Sequence, residues 1–315
     1  MAFTDHSDHP AYLAVSDESH YNVGRFRSLA LVSLRQEHAP ALCDGISAIL
    51  KDSGVREFKW RHLSEGRYQH AAFGILEQIL PRAIGRVLRV DVLMWDTQDR
   101  RHNVVGRDDV ANLGRMYYHL FCDVLRKRWP DGSTWRLCPD ENTAMDWDIV
   151  ADLLSLASVS RQPQPGLLDA TTFRARLRLE FGLQDIVPCK SHEQPLAQVA
   201  DLFAGLAVYS RTSYDRYEYW RSTNSHQLSL FPSALPAITL SRADLHRCAV
   251  LAELNARCKR ARLGVSLDTY RGLRTRDPGN PINFWWYEPQ HVADKAPTRD
   301  GVAAFGKDAP KRRLA

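Results

Sequence analysis

The stretch Tyr12-Leu13-Ala14-Val15-Ser16-Asp17-Glu18-Ser19 decides the fold. Five residues that suit a strand buried on both faces run straight into two carboxylates and a serine. After a short polar link with Asn22 and Gly24, a second apolar run, Phe26 to Leu34, predicts the other arm of a hairpin. Downstream, Val87–Trp95 closes at Asp96 and Thr134–Cys138 closes at Pro139-Asp140-Glu141; both read as strands, and Leu183–Cys189 as a further one. Between them lie helical patterns at Pro40–Leu50, Arg67–Leu80 (ending at Pro81), Val105–Trp129, Trp147–Ser158 and Pro195–Tyr209. Arg56–Trp60 reads as a short extended piece, Arg161–Gly166 as a loop and Thr171–Phe181 as strand or helix. Strands alternating with helices predict an α/β fold, and the opening hairpin makes its sheet mixed rather than all parallel.

Composition sets the outer bounds. The 315 residues are 44% hydrophobic and 25% charged, a globular balance, and 42 Lys+Arg against 37 Asp+Glu leave a net charge of +5. That charge suits a nucleic-acid partner without requiring one. The six cysteines include no C-x-x-C and no pair at zinc-ligand spacing, so they read as reduced thiols. Met1–His9 is polar and acidic, unlike a secretory signal, and no run of about 18 apolar residues could span a membrane. The expectation is a cytoplasmic protein with no membrane partner.

Acidic residues stand where strands or a buried helix deliver them. At 100° per residue, Leu196, Val199, Phe203, Leu206 and Ala207 form one stripe of the Pro195–Tyr209 helix, and Gln198, Asp201, Gly205 and Val208 the opposite one. Leu202 and Ala204 flank that second stripe, so an ionised Asp201 needs a cation or an Arg unless it lies at a shallow surface. Asp17 could cap a neighbouring backbone N–H, and Asp140-Glu141 could N-cap a following helix. Taken together, carboxylates from two strand ends and one helix form a hard oxygen donor set suited to Mg²⁺ or Mn²⁺. Two such ions can align a water and a phosphodiester.

These residues resemble a known family. The Tyr12–Ser19 stretch is similar to the opening strand and Asp-Glu-Ser signature of the domain of unknown function 3800 family. Phe58-Lys59-Trp60 resembles its short lysine-bearing element, and Ser191-His192-Glu193-Gln194-Pro195-Leu196-Ala197-Gln198-Val199-Ala200-Asp201-Leu202-Phe203-Ala204-Gly205 its closing signature. The resemblance spans most of residues 10–215. It implies a ribonuclease H-like domain and metal-dependent nuclease chemistry, often beside mobile elements or phage-defence loci. By the same resemblance Asp17, Asp140 and Asp201 are metal ligands, Glu141 could substitute for its neighbour, and Glu57 is a possible fourth ligand. Lys59 becomes a phosphate contact, and Glu18 accompanies the catalytic set. Where the family has Gly after Asp-Glu-Ser, this chain has His20, which either crowds the metals or adds a phosphate contact. Asp96 and Asp99 compete with Asp140 for the middle position.

Further basic residues extend the nucleic-acid reading. Arg257, Lys259, Arg260, Arg262, Arg271, Arg274 and Arg276 crowd a short stretch that either neutralises phosphates or is a solvated face. Phe284-Trp285-Trp286-Tyr287 could stack bases or pack in a core. His192 and Gln198 are further contact candidates, with a helix cap as the alternative for His192. The expectation is a ribonuclease H-like domain over 10–215, a basic, mostly helical extension over 216–290 packed on it, and a flexible basic tail over 291–315. Its function would be two-metal phosphodiester hydrolysis of DNA or RNA; with the 3′ oxygen as leaving group, as the resembled fold implies, it leaves a 3′-hydroxyl and a 5′-phosphate. The alternatives are a non-catalytic nucleic-acid-binding or scaffolding subunit working through a second protein, and an effector acting on a nucleotide.

Overall fold

The computed structural model describes residues 10–19, 24–99, 109–141, 145, 147, 181–224 and 238–287. His20, most of the Trp147–Ser158 and Thr171–Phe181 segments, the Arg161–Gly166 loop and the 291–315 tail lie outside these residues.

β1 (Tyr12–Ser19) and β2 (Phe26–Arg35) form the expected hairpin, and β3 (Leu88–Asp96) continues it antiparallel. β4 (Trp135–Pro139) pairs parallel with β1, and β5 (Leu183–Ile186) parallel with β4. A last strand, β8 (Ile282–Trp286), pairs parallel with the far side of β3, giving the order β5-β4-β1-β2-β3-β8. The protein is therefore α/β with a mixed central sheet. A short ribbon, β6 (Val265–Ser266) with β7 (Arg274–Thr275), precedes β8.

Helices cover both faces, which is why β1 to β3 read as nearly unbroken apolar runs. On one face α1 (Ala39–Asp52), α2 (Gly66–Ile84), α4 (Pro195–Thr212) and α6 (Arg242–Arg260) bury Val15, Ala30, Val32, Val92 and Phe284. On the other, α3 (Asp109–Asp123) packs Tyr117, Leu120 and Phe121 against Ala14, Leu31, Leu93 and Trp135. α5 (Tyr214–Asn224) follows α4.

Some boundaries differ from expectation. α2 runs through Pro81 to Ile84, because the proline sits in the last turn, where its missing N–H removes only the helical donor to the Glu77 carbonyl. α3 ends at Asp123 rather than continuing to Trp129. The segment from residue 216 onward, besides its helices, gives β8 to the main sheet. The join is polar. The Arg89 guanidinium grips Asp91 at 2.9 Å and donates to the carbonyls of Pro278, Gly279 and Asn280, while Asn283 Nδ2 donates to Asp91 at 3.1 Å. Burial pushes the Asp91 carboxyl up despite those partners.

Candidate active site

Sheet register brings the first two carboxylates together. β1 and β4 are parallel with Ser16 opposite Pro139, and the Asp140 N–H donates to the Ser16 carbonyl at 3.0 Å. Asp140 thus arrives one residue past the end of β4, beside Asp17. Both are buried, 7% and 4% exposed. Asp17 Oδ1 accepts from the Glu18 N–H at 2.8 Å, a local cap of the kind its position suggests.

The third carboxylate comes from α4, through a docked loop. Gln198, Asp201 and Gly205 recur at helical spacing and form the surface on which residues 57–60 lie. The Phe58 N–H donates to Gln198 Oε1 at 2.6 Å, and the Trp60 N–H to Asp201 Oδ2 at 2.6 Å. A Cβ at position 205 would overlap the Trp60 indole, so glycine makes room for the ring. Lys59 between them is extended, with φ −134° and ψ 130°, which turns its side chain away from its two neighbours. Its Nζ lies 3.4 Å from Asp140 Oδ2 and 3.5 Å from Glu57 Oε1.

The electrostatics are those of a crowded acid cluster. Burial, then the fields of Asp201, Asp140 and Glu18, raise the Asp17 carboxyl well above its ordinary value, and Lys59 only partly opposes them. Burial pushes Asp201 up to about 6, against the Trp60 N–H bond and Lys59. Burial alone would lower the Lys59 ammonium; Asp17, Asp140, Asp201 and Glu57 more than offset it and raise it. One lysine therefore does not neutralise the cluster. Hard oxygen donors with surplus negative charge are the chemistry that Mg²⁺ or Mn²⁺ takes. As they stand, however, no three His, Cys, Asp or Glu side chains among the described residues are close enough to hold an ion.

The other sequence candidates are placed differently. Glu18 points to the opposite sheet face, since neighbours on a strand alternate, and accepts from the Tyr117 hydroxyl at 2.7 Å. Glu141 is exposed beside the cluster. Asp96 lies on β3 and holds Arg25 through both oxygens at 2.8–3.0 Å, so Asp140 rather than Asp96 shares the space of Asp17. Asp99 is buried just beyond it. Gln198, read as a nucleic-acid contact, is only 1% exposed, with its amide engaged by Phe58 and by the Ser191 carbonyl at 2.9 Å. His192 is exposed and lines a cleft of about 290 Å³ with Lys51, Arg56 and Gln198. Gln194, not His192, caps α4 through the Leu196 N–H.

The basic run divides. Arg257 pairs with Glu253, Lys259 with Asp268, and Arg260 and Arg262 are exposed. This group lies toward the turn that precedes β8, where the Arg276 N–H donates to the Gly264 carbonyl. Arg271 and Arg274 stand instead beside the end of α4, where Gly272 packs on Arg211. The aromatic set alternates between the two sheet faces, Phe284 and Trp286 on one and Trp285 and Tyr287 on the other; Phe284 and Tyr287 are buried, Trp285 and Trp286 half-buried. Sequence reasoning missed Trp60 as the donor to Asp201; its one signal was its place next to the lysine.

The fold and this acid cluster define an α/β protein with one carboxylate-rich site at a strand-end edge. The chain is 39% identical over 293 residues to "Uncharacterized protein ORF2'" of Methanothermobacter thermautotrophicus, covering 90% of this chain and 96% of that protein. It is 38% identical over 294 residues to "Uncharacterized protein ORF2" of the same organism, with the same coverage of 90% and 96%. The chain belongs to the family of these two proteins. No family model matches it, and no solved structure matches it.

Proposed function

We propose that the protein is a divalent-cation-dependent nuclease of ribonuclease H-like type, in keeping with its resemblance to the domain of unknown function 3800 family. The sheet supports this reading: an antiparallel meander β1-β2-β3 is followed by β4 and β5 running parallel to β1. The observation that carries it is the convergence of Asp17, Asp140 and Asp201 from β1, the end of β4 and α4 around one lysine. Asp17, Asp140 and Asp201 would hold one or two Mg²⁺ or Mn²⁺ ions, with Glu57 and Glu141 at the margin. Such an ion supplies Lewis acidity toward a phosphoryl oxygen and toward an attacking water. Lys59, held in the acid cluster, is placed to meet a phosphate oxygen and offset its charge. The Trp60 N–H orients the Asp201 carboxylate, and Gln198 fixes the loop that carries Lys59.

The test is cleavage of labelled DNA and RNA, single- and double-stranded, in Mg²⁺, Mn²⁺ and EDTA, by the wild-type chain and by Asp17→Asn and Asp201→Asn. Cleavage lost in EDTA and in both variants supports the reading. One observation favours a second reading, a binding subunit without cleavage: among the described residues no three ligand side chains are gathered to hold an ion as they stand. That reading predicts binding without cleavage under every condition, unchanged in both variants.

A further inference from the structure

A second surface on the same sheet face narrows the substrate. Asp17 is opposite Ala30, and Phe26 lies farther along β2 on that face. Phe26 pairs with Asp96, and Met94 with Trp286, so Phe26 and Trp286 stand at the sheet edge where β1 ends. α4 leads to this corner: the Ser28 hydroxyl donates to the Ala204 carbonyl at 2.9 Å, and the helix rises about 15 Å between Asp201 and Arg211. There the Arg211 guanidinium sits 5.5 Å from the Phe26 ring centroid and 5.7 Å from that of Trp286. Arg25 lies 5.0 Å from the Phe26 ring, and Phe26 meets Trp286 edge to face at 5.5 Å. Arg211 also donates to the Tyr270 and Arg271 carbonyls, which brings the exposed Arg271 to the same corner.

Asp96 and Asp215 pair with Arg25 and Arg271 respectively, yet the corner stays electropositive. Burial, then the fields of Arg25 and Arg271, hold the Arg211 guanidinium below its usual value. Guanidinium groups interleaved with half-buried aromatic rings meet two needs at once: charge for phosphates and flat faces for bases. A duplex offers phosphates but keeps its base faces stacked inside, and an acidic peptide offers no bases; a single strand offers both.

We propose that this corner binds a single-stranded stretch of nucleic acid leading into the carboxylate site, with Phe26 and Trp286 stacking on bases and Arg25, Arg211 and Arg271 holding phosphates. This rests on the nuclease reading only for where the strand leads. The test is fluorescence anisotropy of the full chain in EDTA, with one labelled sequence as DNA strand, RNA strand and duplex, for wild type, Trp286→Leu and Arg271→Gln. Wild type binds a single strand at least about tenfold more tightly than the duplex; the DNA and RNA arms show which strand it prefers. Trp286→Leu loses about tenfold or more, the range set by one stacked base. Arg271→Gln flattens the log–log salt dependence by about 0.7, the share of one phosphate contact. Equal binding of duplex, both variants binding like wild type, or displacement by polyglutamate as effective as by unlabelled strand each overturns the proposal. Should Trp286→Leu fail to fold by its melting curve, Arg271→Gln decides alone, because its side chain is on the surface. Adding Mg²⁺ or Mn²⁺ separates the two ideas. A strand bound through this corner but never cut leaves the corner standing and sinks the nuclease; a strand cut equally well with both variants binding normally does the reverse.

Discussion

The indole of Trp60 lies directly against Gly205 of α4, in the space a Cβ would fill. The same residue's N–H bonds Asp201 one helical turn earlier, so a single contact positions both the loop that carries Lys59 and a carboxylate of the site. In an isolated helix alanine is favoured over glycine by about 1 kcal/mol. Gly205→Ala should nevertheless destabilise the protein by about 1–3 kcal/mol, the usual cost of overpacking, as read by denaturant unfolding. Activity should fall further than stability does, because the loop is displaced.

The acid cluster makes the metal-free protein sensitive to pH. Asp201 has a folded value of about 6, above its ordinary 3.8, so the native state holds its proton more tightly than the unfolded chain does. Its contribution to stability is therefore complete below about 3.8 and is lost as pH rises through about 6. Asp201→Asn keeps an acceptor for the Trp60 N–H and removes the charge. In EDTA at pH 8 it should be more stable than wild type, by on the order of 3 kcal/mol from a shift of about two units. That advantage should shrink as pH falls below 6, and thermal melts across pH 4–8 read it out.

Lys59 sits where a cation would be attracted, 3.4 Å from Asp140 and 3.5 Å from Glu57. Lys59→Met should therefore bind Mn²⁺ at least as tightly as wild type while cleaving nucleic acid more slowly. Parallel titrations and rate measurements check this; weaker Mn²⁺ binding would mean that the lysine organises the carboxylates rather than competing for them.

Glu18 and Asp17 are neighbours in sequence and face opposite sides of the sheet. Tyr117→Phe should cost about 1 kcal/mol of stability for its lost hydrogen bond, and Glu18→Gln, which keeps an acceptor for that hydroxyl, less; both should leave cleavage within a few-fold of wild type. Gln198→Ala, by loosening the lysine loop, should cost about 10–100-fold in activity, the scale of a residue that orients a ligand-bearing element. Steady-state rates on one substrate compare all of them.

What could be read beforehand followed from local chemistry. The opening strand shows in Tyr12–Ser16, the hairpin in Phe26–Leu34, and the special side of α4 in the 100° count that isolates Gln198, Asp201 and Gly205. What could not be read depended on register and docking. Nothing local says that Ser16 meets Pro139, which selects Asp140 over Asp96 as the companion of Asp17. Nothing local says that the Gln198 amide faces a loop backbone rather than a ligand. β8 was hidden because Phe284 and Tyr287 pack into opposite cores while their neighbours stay half-exposed, a pattern that a basic, helix-rich neighbourhood masked. The Arg89–Asp91 pair looks like surface charge in sequence and is the buried anchor of the C-terminal segment.

The central claim is that Asp17, Asp140 and Asp201 form a divalent-cation site. Calorimetric titration of Mn²⁺ into the metal-free full chain at pH 8, beside Asp17→Asn and Asp201→Asn, tests it most directly. The account predicts saturable binding by wild type and its loss or strong weakening in both variants. A wild-type chain that binds no Mn²⁺, or variants that bind it equally well, would contradict it.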